Sequence, residues 1–266
     1  MFERGFAAQM SDCISRLRHI PGEGTPRPLP TRSAAAETRH NVGVNQETFS
    51  AVDEFVGATL VPHDEALQGA LDAAEAAGLP SIQVSPPQGK LLQLLARLQG
   101  ARTVLEFGTL GGYSTILLAR ALAEDGRLIT LEANPGYAEV ARGSIERAGL
   151  GDVVDLRVGP ALETLPDLEA EGAGPFDLSF IDADKVNTPN YFAWALDHSG
   201  PGSLIVADNV VRDGTLAETA SEDPATQAQR HLHEMLADEP RVAATTIQTV
   251  GVKGYDGFTI ALVEGS

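Results

Sequence analysis

Cysteine occurs once in the 266 residues, at Cys13. A single thiol excludes an internal disulfide framework and any zinc site built from several cysteines. No run of 18 apolar residues occurs, which excludes an ordinary membrane-spanning helix and predicts no membrane partner. The N-terminus lacks the apolar stretch of a secretory signal, so the expected location is cytoplasmic. Positive charge is also scarce. Nineteen Lys and Arg stand against 37 Asp and Glu, a net of −18. Such a field repels phosphate backbones and argues against a nucleic-acid partner. Lysine is the rarer cation, with Lys90, Lys185 and Lys253 against sixteen arginines. What the chain does have is apolar bulk: at 43% hydrophobic it can bury a sizeable core, and its length suits one large domain or two small ones.

Residues 1–40 differ from the rest. Six Arg and four acidic residues give them a net of +2, which leaves −20 on the remainder. Pro21, Pro26, Pro28 and Pro30 interrupt any long helix. This stretch reads as a flexible N-terminal extension, with the folded domain over 41–266. From Asn45, NQETFSAVDEFVGATL sets Phe49, Val52, Val56 and Leu60 on one helical face. DEALQGALDAAEAAGL predicts a second amphipathic helix. Pro80 to Gln88 reads as a loop, with Pro86-Pro87 opposing helix, and GKLLQLLARLQ as a third helix. Short apolar runs then alternate with helical segments: ARTVLEF, RLITLEA, VVDLRV, FDLSFIDA and SLIVADN are the strands. That alternation predicts an α/β fold, a parallel sheet with helices on both faces. After a helix near Gln227–Ala237, RVAATTIQTV and GFTIALVE are joined by too short a link for a crossover. They must pair antiparallel or lie apart.

Chemistry concentrates at the strand ends, where a parallel sheet places its ligand crevice. VLEFGTLGGYS ends the first strand in glycines and opens a helix at Tyr113 or Ser114. Gly108, Gly111 and Gly112 permit a sharp turn and a close ligand approach, and Ser114 is placed to cap the helix or bond a ligand. An ordinary β–α turn shares this composition. Glu132, ending the second strand, is suited to accept both hydroxyls of a ribose. The glycine pattern is not the one expected for a pyrophosphate, and Glu106, facing the site from inside the first strand end, would repel one. S-adenosylmethionine, a cationic nucleoside without phosphate, suits these acids better. FIDADK and ADN end the fourth and fifth strands, so Asp182, Asp208 and Asn209 converge. Two carboxylates and an amide oxygen form a hard donor set that suits Mg²⁺, Mn²⁺ or Ca²⁺ rather than zinc. Strand-end acids that merely cap the next helices would look the same. Lys185 lies at the mouth of the same crevice. A neighbouring divalent cation disfavours a protonated amine, which suits a general base. A surface ion pair with Asp182 or Asp184 is the plainer reading. His231 and His233, two apart on a helix, cannot share a metal and read as surface residues.

VLEFGTLGGYS, LEANP, VGPALETLP, FIDADK and ADNV, in this order, resemble the cation-dependent class I O-methyltransferases of the caffeoyl-CoA and catechol O-methyltransferase type. The resemblance spans roughly residues 45–264. It implies a Rossmann-like class I methyltransferase fold, with a seven-stranded, mostly parallel sheet and a C-terminal antiparallel hairpin. It implies that Glu106, Gly108, Thr109 and Ser114 hold the methionine part of S-adenosylmethionine and that Glu132 binds the ribose. It also implies a contact near the adenine from Ala161 and closure of a loop over the cofactor at Val84. Asp182, Asp208 and Asn209 match the metal ligands, and Lys185, beside Asp182, matches the catalytic lysine. Plant members follow DNV with Leu-Trp, where this chain has Val211-Arg212. The implied reaction is methyl transfer to a hydroxyl of a small aromatic vicinal diol, in a homodimer. An NAD-dependent oxidoreductase and a methyltransferase acting on RNA or protein are the alternatives. The first should show a different glycine pattern, and the second should be less acidic and lack the metal triad.

Overall fold

The computed structural model describes residues 45–265. The proposed extension over 1–40, its boundary at 41, and Cys13 lie outside the described residues. Three helices come first: α1 (Gln46–Leu60), α2 (Glu65–Ala76) and α3 (Pro86–Gln99). Strands and helices then alternate through β1 (Thr103–Phe107), α4 (Tyr113–Ala119), β2 (Arg127–Glu132), α5 (Pro135–Arg147), β3 (Val154–Val158), α6 (Ala161–Ala170) and β4 (Phe176–Ile181). A short 3₁₀ turn, Lys185–Asn187, leads into α7 (Thr188–Asp197), β5 (Ser199–Asp208), α8 (Pro224–Asp238), β6 (Val242–Gly251) and β7 (Gly254–Val263).

The strands form one seven-stranded sheet in the order β3-β2-β1-β4-β5-β7-β6. The first five run parallel; β7 pairs antiparallel with both β5 and β6. The hairpin closes tightly, with Gly251 opposite Gly254 and only Val252 and Lys253 between them. A buried layer covers each face. One packs Leu105, Phe107, Phe176, Phe192 and Ile205 under α6, α7 and α8. The other packs Val104, Leu128, Phe180 and Val206 under α3 and α4. Each wholly buried Phe among them contributes about 1.5–3 kcal/mol by leaving water. The strand order reverses between β1 and β4, and this switch point opens the crevice at the strands' carboxyl ends.

Two local expectations need correction. Pro86-Pro87 do not oppose α3 but begin it: prolines are tolerated in the first turn, where the missing N–H has no helical partner. Ser85 caps the helix by accepting from Gln88 N, and Gly100 ends it in a left-handed conformation at φ 64°. On α1, no residue of the shared apolar face is fully buried. Val52 and Leu60 are 58% and 66% exposed, and neighbouring Phe55 is 70% exposed. Helical spacing reports which residues share a face, not whether anything covers it. His233 is not a free surface residue either. Its Nδ1 lies 2.7 Å from Gln229 O and its Nε2 lies 2.8 Å from Thr246 Oγ1, tying α8 to β6. His231 is exposed, as expected.

Candidate active site

Two adjoining cavities lie at the carboxyl ends of the strands. The first, about 560 Å³, runs along the turns after β1, β2, β3 and β4 and is roofed by Ala70, Leu71 and Ala74 of α2. The second, about 460 Å³, lies between the β6–β7 hairpin and the start of α3. Both volumes suit a small ligand. Val84 and Asn209 line both; Asp182 and Lys185 line the first, Asp208 the second.

The turn after β1 is built for closeness. Gly108 sits at φ +95°, and a Cβ there would meet Asp182 O at 2.5 Å. Only glycine therefore lets the ends of β1 and β4 meet, and the nearest neighbour is the Asp182 backbone rather than open ligand space. Gly112, also left-handed, begins α4 with no side-chain cap, so Ser114 is not the cap and instead lines the cleft. Glu132 ends β2 facing the cleft. Its Oε2 accepts Leu110 N at 2.8 Å and Thr109 N at 3.2 Å, while Oε1 accepts Asn134 N at 2.9 Å. A carboxylate offers about four acceptor positions, so these three bonds fix its place and leave capacity for one more donor. Ala161 lines the far end, at the first turn of α6.

Glu106 and Thr109 are not on the cleft wall. Along β1, Leu105 and Phe107 belong to one buried layer and Val104 to the other, so Glu106 points with Val104. It is fully buried behind the cleft, where Oε2 accepts Thr115 Oγ1 at 2.5 Å and Thr130 Oγ1 at 2.7 Å. Its Oε1 has no partner. Burial pushes this carboxyl up to about 7 against the opposing pull of the Thr115, Ser114 and Thr130 hydroxyls, and the Asp182 charge adds to the rise. Thr109 is buried too, with its hydroxyl 2.6 Å from that of Thr130.

The strand-end acids do converge. Asp208 is almost wholly buried. Its Oδ2 accepts Gln88 Nε2 at 2.7 Å and its Oδ1 accepts Asn209 N at 2.8 Å. Burial, and then the charge of Asp182, push its carboxyl up to about 7, with Lys185 opposing. Asn209 takes a left-handed turn at φ 56°, a conformation Asn tolerates better than most side chains. Lys185 Nζ donates to Asp182 Oδ1 at 2.6 Å, so the plainer ion-pair reading of this lysine also describes its geometry. Among the described residues no three His, Cys, Asp or Glu side chains gather to hold a metal.

Sequence reasoning missed several wall residues. Gln88, Asp53 and Lys253 enter the second cavity from three different elements. Tyr191, its ring tilted 30° to that of Phe107 at a centroid distance of 5.0 Å and its hydroxyl donating to Asp184, and Tyr137 enter the first. No short motif marks them.

Residues 61–262 match the O-methyltransferase family. The chain belongs to that family. It is 52% identical over 221 residues to the catechol O-methyltransferase of Niastella koreensis, covering 83% of this chain and all of that protein. It is equally identical over 212 residues to the catechol O-methyltransferase of Mycobacterium tuberculosis, covering 80% of this chain and 94% of the other. Among solved structures, the O-methyltransferase of Bacillus cereus, in complex with SAH, superposes with a TM-score of 0.82. It is 54% identical and is covered completely by 83% of this chain. This family member is thus an enzyme with the class I O-methyltransferase fold expected from the motifs. Among the described residues no helix is long and apolar enough to cross a membrane.

Proposed function

We propose that this enzyme transfers the methyl group of S-adenosylmethionine to one hydroxyl of a small aromatic vicinal diol, in the cytoplasm, with a divalent cation at the junction of the two cavities. One observation carries the reading: the oxygen donors Asp182, Asp208 and Asn209 are divided between the two cavities, and Asn209 belongs to both. A donor ligand in the first cavity and an acceptor in the second would meet there.

The residues fit a hard cation. Asp208 is a buried carboxylate facing the like charge of Asp182, an arrangement that favours a compensating positive charge. All three donors are oxygens, as Mg²⁺, Mn²⁺ and Ca²⁺ prefer. When bound, such a cation makes a substrate hydroxyl more acidic and favours two chelating oxygens over one. S-adenosylmethionine supplies an electrophilic methyl group. The chain's own work is to orient and to move a proton. Glu132 receives a ribose hydroxyl at its remaining acceptor position, with Thr109 N, Leu110 N and Asn134 N holding it in place. Gly108, Ser114, Ala161 and Val84 shape the rest of the donor cleft. Glu106 and Thr109 support that wall from behind through Thr130. Lys185 Nζ, kept at the strand end by Asp182, takes the hydroxyl proton. The catechol O-methyltransferase relatives favour a diol acceptor. The exposed Val52, Phe55 and Leu60 on α1 favour the homodimer, which light scattering checks.

The deciding experiment is a methyl-transfer assay across a catechol, a phenol and a 1,3-diol, before and after exhaustive chelation. Activity confined to the catechol, abolished by EDTA and restored by Mg²⁺ or Mn²⁺, supports the reading. Full activity after chelation overturns the cation, and equal rates on all three acceptors overturn the diol.

A further inference from the structure

Gln229 lies on α8, a helix that contributes no residue to either cavity. It is fully buried, yet its amide is aimed at the active site's support. Nε2 donates to the backbone oxygen of Lys185 at 2.9 Å and to Thr188 Oγ1 at 3.1 Å. Thr188, also buried, donates its own hydroxyl to the same Lys185 oxygen at 3.1 Å. One carbonyl thus receives two donors, from α8 and from the start of α7. The reversed amide would set Oε1 against that carbonyl oxygen, so the orientation follows from the acceptor.

We infer that Gln229 is a positioning residue for the methyl-transfer reaction, acting through the backbone of Lys185. The inference rests on the reading of Lys185 as the base. The lysine sits in a single 3₁₀ turn, Lys185–Asn187, whose hydrogen bonds have poor geometry and give little rigidity of their own. The turn's Asn187 N reaches Asp184 O only at 3.3 Å. Asp182 holds the amine end and Gln229 with Thr188 holds the backbone end, so the side chain is fixed at both ends. A purely structural role fits the site poorly. Oε1 of Gln229 has no hydrogen-bond partner, and a buried unpaired acceptor is destabilising. A leucine would fill the space without that cost, but would leave the Lys185 turn one donor short.

The test is a double-mutant cycle with Gln229→Leu and Lys185→Ala. Gln229→Leu should lower kcat by about 10- to 100-fold, the scale of a misplaced catalytic group. Acceptor KM and S-adenosylmethionine affinity by calorimetry should stay unchanged. In the Lys185→Ala background, Gln229→Leu should cause no further loss in kcat, because the group it positions is gone. Thr188→Val, which removes the second donor, should lower kcat in the same way but less, and it decides the matter if Gln229→Leu does not fold. Wild-type kcat in either folded variant, or a loss that repeats in full without Lys185, overturns the inference. Wild-type kcat in Lys185→Ala alone overturns the base reading, and this inference with it.

Discussion

The two cavities are built by different rules. The first is a series of β–α turns, and most of its polar wall lies within a few residues of a strand end: Gly108 and Ser114 after β1, Glu132 at the end of β2, Asp182 and Lys185 after β4. The second is assembled from distant segments. Asp53 comes from α1, Gln88 from α3, Asp208 from β5, and Lys253 from the hairpin tip. Its hydrogen bonds span the chain, as in the Gln88–Asp208 bond across 120 residues and the Lys253–Ser81 bond across 172. The first cavity, where the donor is proposed to bind, is thus written locally, because the topology fixes where every strand ends. The second cavity, the proposed acceptor site, depends on how peripheral helices and the final hairpin settle against that frame.

The sharpest test of this contrast is Glu132→Gln. If the first cavity alone takes the methyl donor, S-adenosylmethionine binding should weaken by about 1.5–3 kcal/mol, the range for hydrogen bonds to a charged group. That corresponds to roughly 10- to 150-fold in Kd. Calorimetry should show that loss while acceptor KM stays put. A comparable rise in acceptor KM would mean that the cavities are not separate in function.

The same contrast explains what was legible in the sequence. The alternation of strands and helices gave the sheet and its final hairpin, and with them the placing of Asp182, Asp208 and Asn209 at the ends of the adjacent strands β4 and β5. The contacts of Gln229 and Lys253 were not legible. Each donates to a backbone oxygen far away in sequence, Lys185 O and Ser81 O respectively, and no residue pattern encodes such a bond. Glu106 was misplaced for another reason. Side chains alternate faces along a strand, and its position in β1 sends it behind the cleft among hydroxyls. The α1 helix was legible from its spacing, but its exposure was not, because periodicity says nothing about cover.

Glu106 also offers a test of how the donor wall is held. Its carboxyl is raised to about 7 in the folded protein from an ordinary value of 4.5, chiefly by burial. The folded state therefore holds a proton more tightly than the unfolded chain. That stabilisation is complete below about pH 4.5 and is lost as pH rises through about 7. Glu106→Gln mimics the protonated form and removes the dependence. Between about pH 5 and pH 8, the unliganded wild-type enzyme should lose on the order of 2 kcal/mol more stability than the variant. Parallel melting curves for the two proteins across that window would show that the carboxyl does not change charge there.

The smallest expected effect belongs to Lys253, the one cation on the second cavity's wall among the described residues. Its amine donates to Ser81 O at 2.7 Å, tying the hairpin tip to the segment that continues through Ile82, Gln83 and Val84. Burial lowers its affinity for a proton, while the charge of Asp182 opposes the shift. The acids beside it are already engaged: Asp53 accepts Val252 N, and Asp256 accepts Val211 N, Arg212 N and Gly257 N. Lys253→Met keeps the apolar stem and removes only the amine. One exposed hydrogen bond is worth about 0.5–1.5 kcal/mol, so acceptor KM should rise by roughly 2- to 10-fold. The segment from Ile82 to Val84 also lines the first cavity, which makes the comparison exacting. If Glu132 and the strand-end turns dominate donor binding, S-adenosylmethionine affinity should not move. Should it fall as far as acceptor affinity does, the segment closes both cavities together, and the division between a locally built donor site and an assembled acceptor site does not hold.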